Sequence, residues 1–346
     1  MRVALPLAGL IVLQSFAFPA AAAPDNGTLN IQVENDFFSP NNRDRHYTNG
    51  VRFDWLPPPG APDDLGAVER LARSLPFIGD MGSDERVGWS LGQSLFTPQN
   101  LKTSAPILND RPYAGWLYAG LTLIKTDRAD PTAPTSLGEL DTLEFELGVV
   151  GRAAEGKAVQ RDFHRWAFAN EDPKGWNNQL KSEPGLLISY DHKWRSIWQT
   201  EIGGFGLDVT PSVGAEVGNV MIDGSAGGMV RLGRDLPADY GPPRIRPGLT
   251  GSDFFLSGED TGRDFGFYFF AGADGRVVGH NIFLDGNSFA KSLSVPKKTL
   301  VGEVQGGVAL IIYGARVALT EVLRTQEFRG QHGNDDFGAI SVSFNF

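Results

Sequence analysis

Four groups of polar residues in this sequence are of types that hold hard cations or move protons. Asn35 and Asp36 are adjacent; Tyr47, Thr48 and Asn49 form a second group; Thr97, Lys102, Asp110 and Arg111 a third; Gln160, His164 and Glu171 a fourth. Carboxylate, hydroxyl and amide oxygens suit Ca²⁺, which takes roughly six to eight oxygen ligands, whereas a single histidine is too few for a catalytic Zn²⁺. A Ca²⁺ beside a neutral imidazole can polarise an ester carbonyl and stabilise the oxyanion while the imidazole takes a proton from water. That chemistry hydrolyses acyl esters without a serine nucleophile, and no G-x-S-x-G elbow lies near a candidate histidine and aspartate. Taken singly, Asn-Asp and Thr-Asn-Gly are ordinary turn chemistry. His164 says more, because the chain has five histidines and the segment Gln160 to Phe168 reads as one or two helical turns. Spacing of i, i+4 then puts Gln160, His164 and Phe168 on one face.

These residues need elements to position them, and the chain offers strands. Ile340, Val342, Phe344 and Phe346 alternate with Ala339, Ser341, Ser343 and Asn345, strict period-two patterning that ends on the last residue. The same alternation recurs at Leu29, Ile31 and Val33, at Val51, Phe53 and Trp55, and at Leu143, Phe145, Leu147 and Val149, with Arg52, Asp54, Glu144 and Glu146 on the opposite faces. Hydrocarbon on one face and charge on the other predicts a lipid-facing wall around a polar lumen. A mean hydropathy of -0.19 does not contradict this, since half of every barrel strand is polar.

The start of the chain predicts export. Arg2, the apolar run Leu5 to Phe18 and the small residues Ala20 to Ala23 have the order of a signal peptide, residues 1–23, with the barrel domain over 24–346. The absence of cysteine excludes disulfide frameworks and thiolate metal sites. A net charge of -10 argues against nucleic-acid binding. The fold class predicted is all-β: a twelve-stranded antiparallel transmembrane β-barrel, with an active-site helix in an extracellular loop. Strands are expected at 29–36, 47–58, 86–98, 114–127, 139–152, 184–200, 203–219, 226–234, 265–279, 298–312, 314–328 and 336–346. Parity then puts all four polar groups on the extracellular rim, with connections 37–46, 99–113, 153–183, 220–225, 280–297 and 329–335 outside. Two inner connections, 59–85 and 235–264, are longer than periplasmic turns usually are. Leu65 to Leu75 reads as a short amphipathic helix in the first, and the second has no explanation in the sequence.

Around its polar groups the sequence resembles the outer-membrane lipid A 3′-O-deacylase family. The stretches that carry the resemblance are VENDFF at Val33 to Phe38, YTNGVRFDW at Tyr47 to Trp55, GQSLFTP at Gly92 to Pro98, DRPYAGWLY at Asp110 to Tyr118, LDTLEFELGVVG at Leu140 to Gly151, VQRDFHRW, GWNNQL, GPPRIRP, HNIFLDGN and LRTQEFRGQ, in this order over nearly the whole mature chain. The resemblance implies an outer-membrane enzyme, a monomer, that removes the 3′-linked acyloxyacyl chain of lipid A in the outer leaflet of lipopolysaccharide with Ca²⁺ as cofactor. It implies His164 as general base, Asn35 and Asp36 in the active site at the metal with Thr48 beside them, Gln160 one turn before the histidine, and Glu171 as the acidic ligand, with Asn170 and Asp172 as alternatives. Lys102 and Arg111 are expected near substrate phosphate. The alternatives are a passive channel lined by Arg52, Glu144 and Glu146, or a structural barrel. The channel is disfavoured by size, since aqueous pores are usual at about sixteen strands or more.

Overall fold

The computed structural model describes residues 27–39, 45–58, 84–126, 138–167, 173–234, 236, 239–253 and 265–346. The expected signal peptide, the expected helix at Leu65 to Leu75, Phe168 and Glu171 with its alternatives lie outside these residues.

The period-two segments form β1 (Thr28–Asn35), β2 (His46–Leu56), β3 (Asp84–Thr97), β4 (Ala114–Thr126), β5 (Gly138–Val150), β6 (Glu183–Arg195), β7 (Trp198–Ile202), β8 (Phe205–Gly218), β9 (Met221–Arg234), β10 (Phe265–Asn281), β11 (Leu300–Ile312), β12 (Ala315–Arg324) and β13 (Asp335–Asn345). All neighbours are antiparallel. The terminal strand closes the wall on the first, with Leu29 opposite Phe344, Ile31 opposite Val342 and Val33 opposite Ile340. Gly27 and Phe346 exchange backbone hydrogen bonds of 3.1 Å in both directions. Both strands therefore end on one rim, the terminal rim; the opposite rim is the loop rim.

The expected twelve staves hold, although the sheet has thirteen strands. Lys193 on β6 faces Ser212 on β8, and Trp198 on β7 faces Val209 on the same β8. Five steps along one side thus match three on the other, so β6 and β7 are a single stave with two residues looped out. Ser196, at φ 50, lies in that bulge. The strand expected at 184–200 is this interrupted stave. The strand expected from 226 begins at Met221, and the connection expected at 220–225 shrinks to a turn at Asn219 and Val220.

Side-chain alternation is inverted relative to a water-soluble protein. On β2, Arg52 and Asp54 are buried while Phe53 and Trp55 are 46% and 45% exposed. Leu91, Leu147, Phe269 and Leu319 are similarly exposed on their strands. Apolar side chains outward and charges inward is how a barrel wall meets hydrocarbon.

The long connection 235–264 acquires an explanation. Its residues Asp239 to Asp253 fold into the lumen as a strap, with Asp239, Tyr240, Arg244, Ile245, Leu249, Thr250 and Ser252 all buried. A buried loop must satisfy its backbone polar groups. Pro242, Pro243 and Pro247 bring no N–H to satisfy, and the strap closes on itself through Gly251 N–H to Pro242 O (2.9 Å) and Ser252 N–H to Gly241 O (3.1 Å). Other carbonyls accept from wall side chains: Gly241 O and Ser252 O from Arg316, Pro247 O from Arg324, Asp253 O from Asn30. Gly241 has φ +94, and a Cβ there would lie 2.5 Å from Met229 Sδ, so the turn needs glycine. Leu249 packs with Met229, Tyr268 and Phe270, and Tyr240 with Leu56, Ile124 and Leu140.

Charge fills the rest. Arg52 donates to Asp54 (2.7 Å), Glu144 (2.8 Å) and Glu146 (3.3 Å), and Arg324 donates to Glu303 (2.8 Å). The residues that a channel would use to line water are paired with one another. Planar bilayers containing the folded protein should therefore show no stable conductance; steady open steps would mean that the strap leaves the lumen.

Candidate active site

The loop rim carries the connections 36–45, 98–113, 151–182, 219–220, 282–299 and 325–334. Asn35 ends β1 opposite Asn49 of β2. Its Oδ1 accepts from the Phe37 N–H at 2.8 Å and so caps the 3₁₀ turn Asp36–Phe38, while its Nδ2 is buried without a hydrogen-bond partner. Asp36 Oδ2 accepts from the Arg45 N–H at 2.7 Å, which ties the two ends of the first loop. Thr48 is the extra residue where the β2–β3 register shifts between Tyr47 and Asn49, and a bulge of this kind re-aims a side chain. Its hydroxyl lies 2.7 Å from that of Thr97. Asn35, Asp36, Thr48 and Thr97 are each at most 4% exposed, and strand pairing brings them together on the β1–β2–β3 end of the rim.

The second half of the site is the expected loop helix, α1 (Gly156–Ala167). Among its described side chains the buried positions are Gly156, Gln160 and His164, spaced by four, whereas Lys157, Asp162 and Arg165 are exposed. The helix seats on small residues: a Cβ on Gly156 would lie 2.6 Å from the Trp176 ring and 2.8 Å from Leu95, and a Cβ on Gly115 of β4 would lie 3.0 Å from Ala154. Trp176 fixes the rotation. Its indole N–H donates to Gln160 Oε1 at 2.7 Å, and its ring packs against Tyr113 at 5.0 Å between centroids. One turn beyond this anchor, His164 is held on the inward stripe at 8% exposure. Trp176→Phe keeps the packing and loses the hydrogen bond, worth about 1 kcal/mol. Amide exchange along Gly156–Ala167 should quicken roughly fivefold with barrel melting unchanged; unaltered exchange would show that the indole N–H does not hold the helix.

The two cations of the 98–113 loop separate. Lys102 has an exposed side chain, in a loop stitched to its neighbour by Lys174 N–H to Leu101 O (2.9 Å) and Asn178 Nδ2 to Ser104 O (2.8 Å). Arg111 is 1% exposed. It donates to Glu327 at 3.0 Å and lies 4.7 Å over the Phe96 ring, so its guanidinium ties two loops beneath the surface. Burial would raise the Glu327 carboxyl, but the Arg111 and Arg324 guanidiniums beside it hold it below the usual carboxylate range.

Sequence reasoning missed His46. It is 1% exposed at φ +64, with Nδ1 2.6 Å from Asp335 and Nε2 3.5 Å from Asp110. It thus joins three loops. Burial opposes ionisation of Asp110, yet hydrogen bonds from His46 and from the Gln99 and Arg111 N–H groups hold its carboxyl below the ordinary range. The partners are separated by 289 residues in the case of Asp335, and no local pattern joins them.

Fold and rim together define an integral β-barrel of the outer-membrane type, with a loop helix and a set of hard-oxygen side chains on one rim. The family model described as outer membrane protein LpxR matches residues 5–346. The chain belongs to that family, as the resemblance in its motifs led one to expect. It is similar in structure to LpxR from Salmonella typhimurium, with a TM-score of 0.70, 20% identity, and coverage of 92% of this chain and 100% of that one. The β domain of the Bordetella autotransporter BrkA matches with a TM-score of 0.42, 8% identity and coverage of 93% and 99%. The translocator domain of the autotransporter NalP from Neisseria meningitidis matches at 0.37, 8% identity and coverage of 95% and 91%. No curated protein matches the sequence.

Proposed function

We propose that this chain is a Ca²⁺-dependent lipid A deacylase, a carboxylic ester hydrolase that removes the 3′-linked acyloxyacyl chain of lipid A, with its loop rim facing outward from the outer membrane. The observation that carries the reading is the anchored stripe of Gln160 and His164, held on the same rim as Asn35, Asp36 and Thr48. Among the described residues no three His, Asp or Glu side chains converge closely enough to hold a metal by themselves. The donor chemistry nevertheless fits Ca²⁺ in kind: the Asp36 carboxylate and the Thr48 hydroxyl are hard oxygens, and backbone carbonyls and water commonly complete such a shell. Glu171 is proposed as a further ligand. Bound there, the ion would supply Lewis-acid polarisation of the ester carbonyl.

The chain's own residues do the rest. His164 takes the proton of the attacking water, and Gln160, locked by Trp176, sets the helix rotation that aims the imidazole. Asn35 holds the turn that presents Asp36. Lys102 offers an ammonium to a lipid A phosphate, and Arg111 supports that loop from below. The protein acts as a monomer. Incubation of the purified, folded barrel with lipid A and Ca²⁺, followed by mass spectrometry, should show loss of the 3′ acyloxyacyl mass and its release as free acid. Unchanged lipid A, or loss confined to another ester, would overturn the reading or its regiochemistry respectively.

A further inference from the structure

The strap enters the barrel from the terminal rim, yet its tip ends beneath the candidate site. Arg244 Nε and the Ile245 N–H both donate to Glu34 Oε1, at 3.2 and 3.1 Å. Glu34 directly precedes Asn35 and Asp36. On the neighbouring strand Gly50, the cross-strand partner of Glu34, is so close to the tip that a Cβ there would lie 2.9 Å from Ile245 Cδ1. Ile245, Arg246 and Pro247 line a cavity of about 10 Å³, close to one water, together with Tyr47 and Phe96, the residues that precede Thr48 and Thr97. The tip thus braces both strands of the candidate site from below.

We infer that the strap is a positioning element for catalysis, with Arg244 and Ile245 fixing, through Glu34 and Gly50, the strand ends that present Asp36 and Thr48. The inference rests on the deacylase reading and deepens it. Two arguments support it physically. Glu34 is 1% exposed, and a carboxylate in that place needs a partner charge; Arg244 supplies it while being held itself by Glu303 and Gln305, each at 2.5 Å. Connecting loops are more mobile than the strands they join, and reacting groups lose rate steeply with small displacements, up to roughly 10²-fold for 1 Å. The prolines and self-closing hydrogen bonds of the strap make it a stiff prop.

The test compares Arg244→Met, Arg244→Lys and Ile245→Ala with the unaltered protein, each shown to be a folded barrel by heat-modifiable migration. Lipid A turnover is followed by mass spectrometry over a range of substrate concentrations. Arg244→Met should lower kcat at least about tenfold with KM nearly unchanged, and Arg244→Lys should restore part of the loss by keeping a charge at Glu34. Ile245→Ala leaves every ion pair in place and should lower kcat severalfold; it decides the matter where Arg244→Met does not fold. Full kcat in folded Arg244→Met or Ile245→Ala overturns the inference while leaving the deacylase reading intact. A loss of kcat that tracks the fraction of folded barrel in each preparation, without rescue by lysine, overturns it in favour of general destabilisation. Failure of the unaltered protein to cleave lipid A sinks both.

Discussion

His164→Ala should abolish measurable lipid A deacylation while leaving a folded barrel. A general base contributes roughly 10²–10⁴-fold to such a reaction, and the residue belongs to a loop helix outside the strand ladder that closes the barrel. The measurement is turnover by mass spectrometry beside heat-modifiable migration of the same preparation. Gln160→Ala should act more weakly, since it removes the partner of the Trp176 indole and loosens the aim of the imidazole without removing it. An ordering of the two in the opposite sense, with Gln160→Ala the more severe, would move the proton-accepting role away from His164.

The parts of this protein that were legible in the sequence are those governed by local periodicity. Alternation at Leu29 to Val33 and at Ile340 to Phe346 marked two strands, and the structure pairs them with each other; period two records the face of a strand directly. The helix around His164 was legible for the same reason at period 3.6, and its buried stripe fell on Gln160 and His164. What failed depended on non-local geometry. The interruption between β6 and β7 turns on Ser196 adopting φ 50, a conformation for which serine gives no signal. Arg111 is expected near substrate phosphate, and its burial against Glu327, 216 residues away, is a feature no local pattern shows. His46 was overlooked because it stands beside Tyr47 and Thr48 in a turn-like stretch, and only the fold brings Asp110 and Asp335 to it. The strap was invisible as a lumen-filling element because its Pro, Gly and Arg composition is that of a solvent-exposed loop. A barrel lumen is polar, so burial there selects the same residue types that solvent does.

The largest expected effect on stability falls on a charge buried in that lumen. Asp239 is fully buried, and its carboxylate is bonded to both Arg231 and Arg316, themselves 1% and 0% exposed. Arg231 has a second partner in Asp208 at 3.0 Å, whereas Arg316 otherwise reaches the carbonyls of Gly241 and Ser252 and the Ser343 hydroxyl. Asp239→Ala therefore takes a bonded carboxylate from each of two buried guanidiniums, Arg231 keeping that of Asp208. Breaking a buried ion pair from one side costs about 3–5 kcal/mol. The loss should be visible as a lower midpoint of urea unfolding in liposomes, together with intermittent conductance as the strap base comes free. Replacing the triad as a whole is a different experiment. Asp239→Leu combined with Arg231→Met and Arg316→Met, in an Asp208→Asn background so that the carboxylate bonded to Arg231 is not left stranded, removes the uncompensated charges along with the pair, and buried ion pairs replaced by apolar groups of similar volume are often neutral or better. The triple variant should therefore recover much of the stability lost by Asp239→Ala. A triple variant as unstable as the single one would mean that the guanidiniums hold the strap chiefly through its carbonyls, at Gly241 and Ser252, and that the carboxylate serves only to neutralise them.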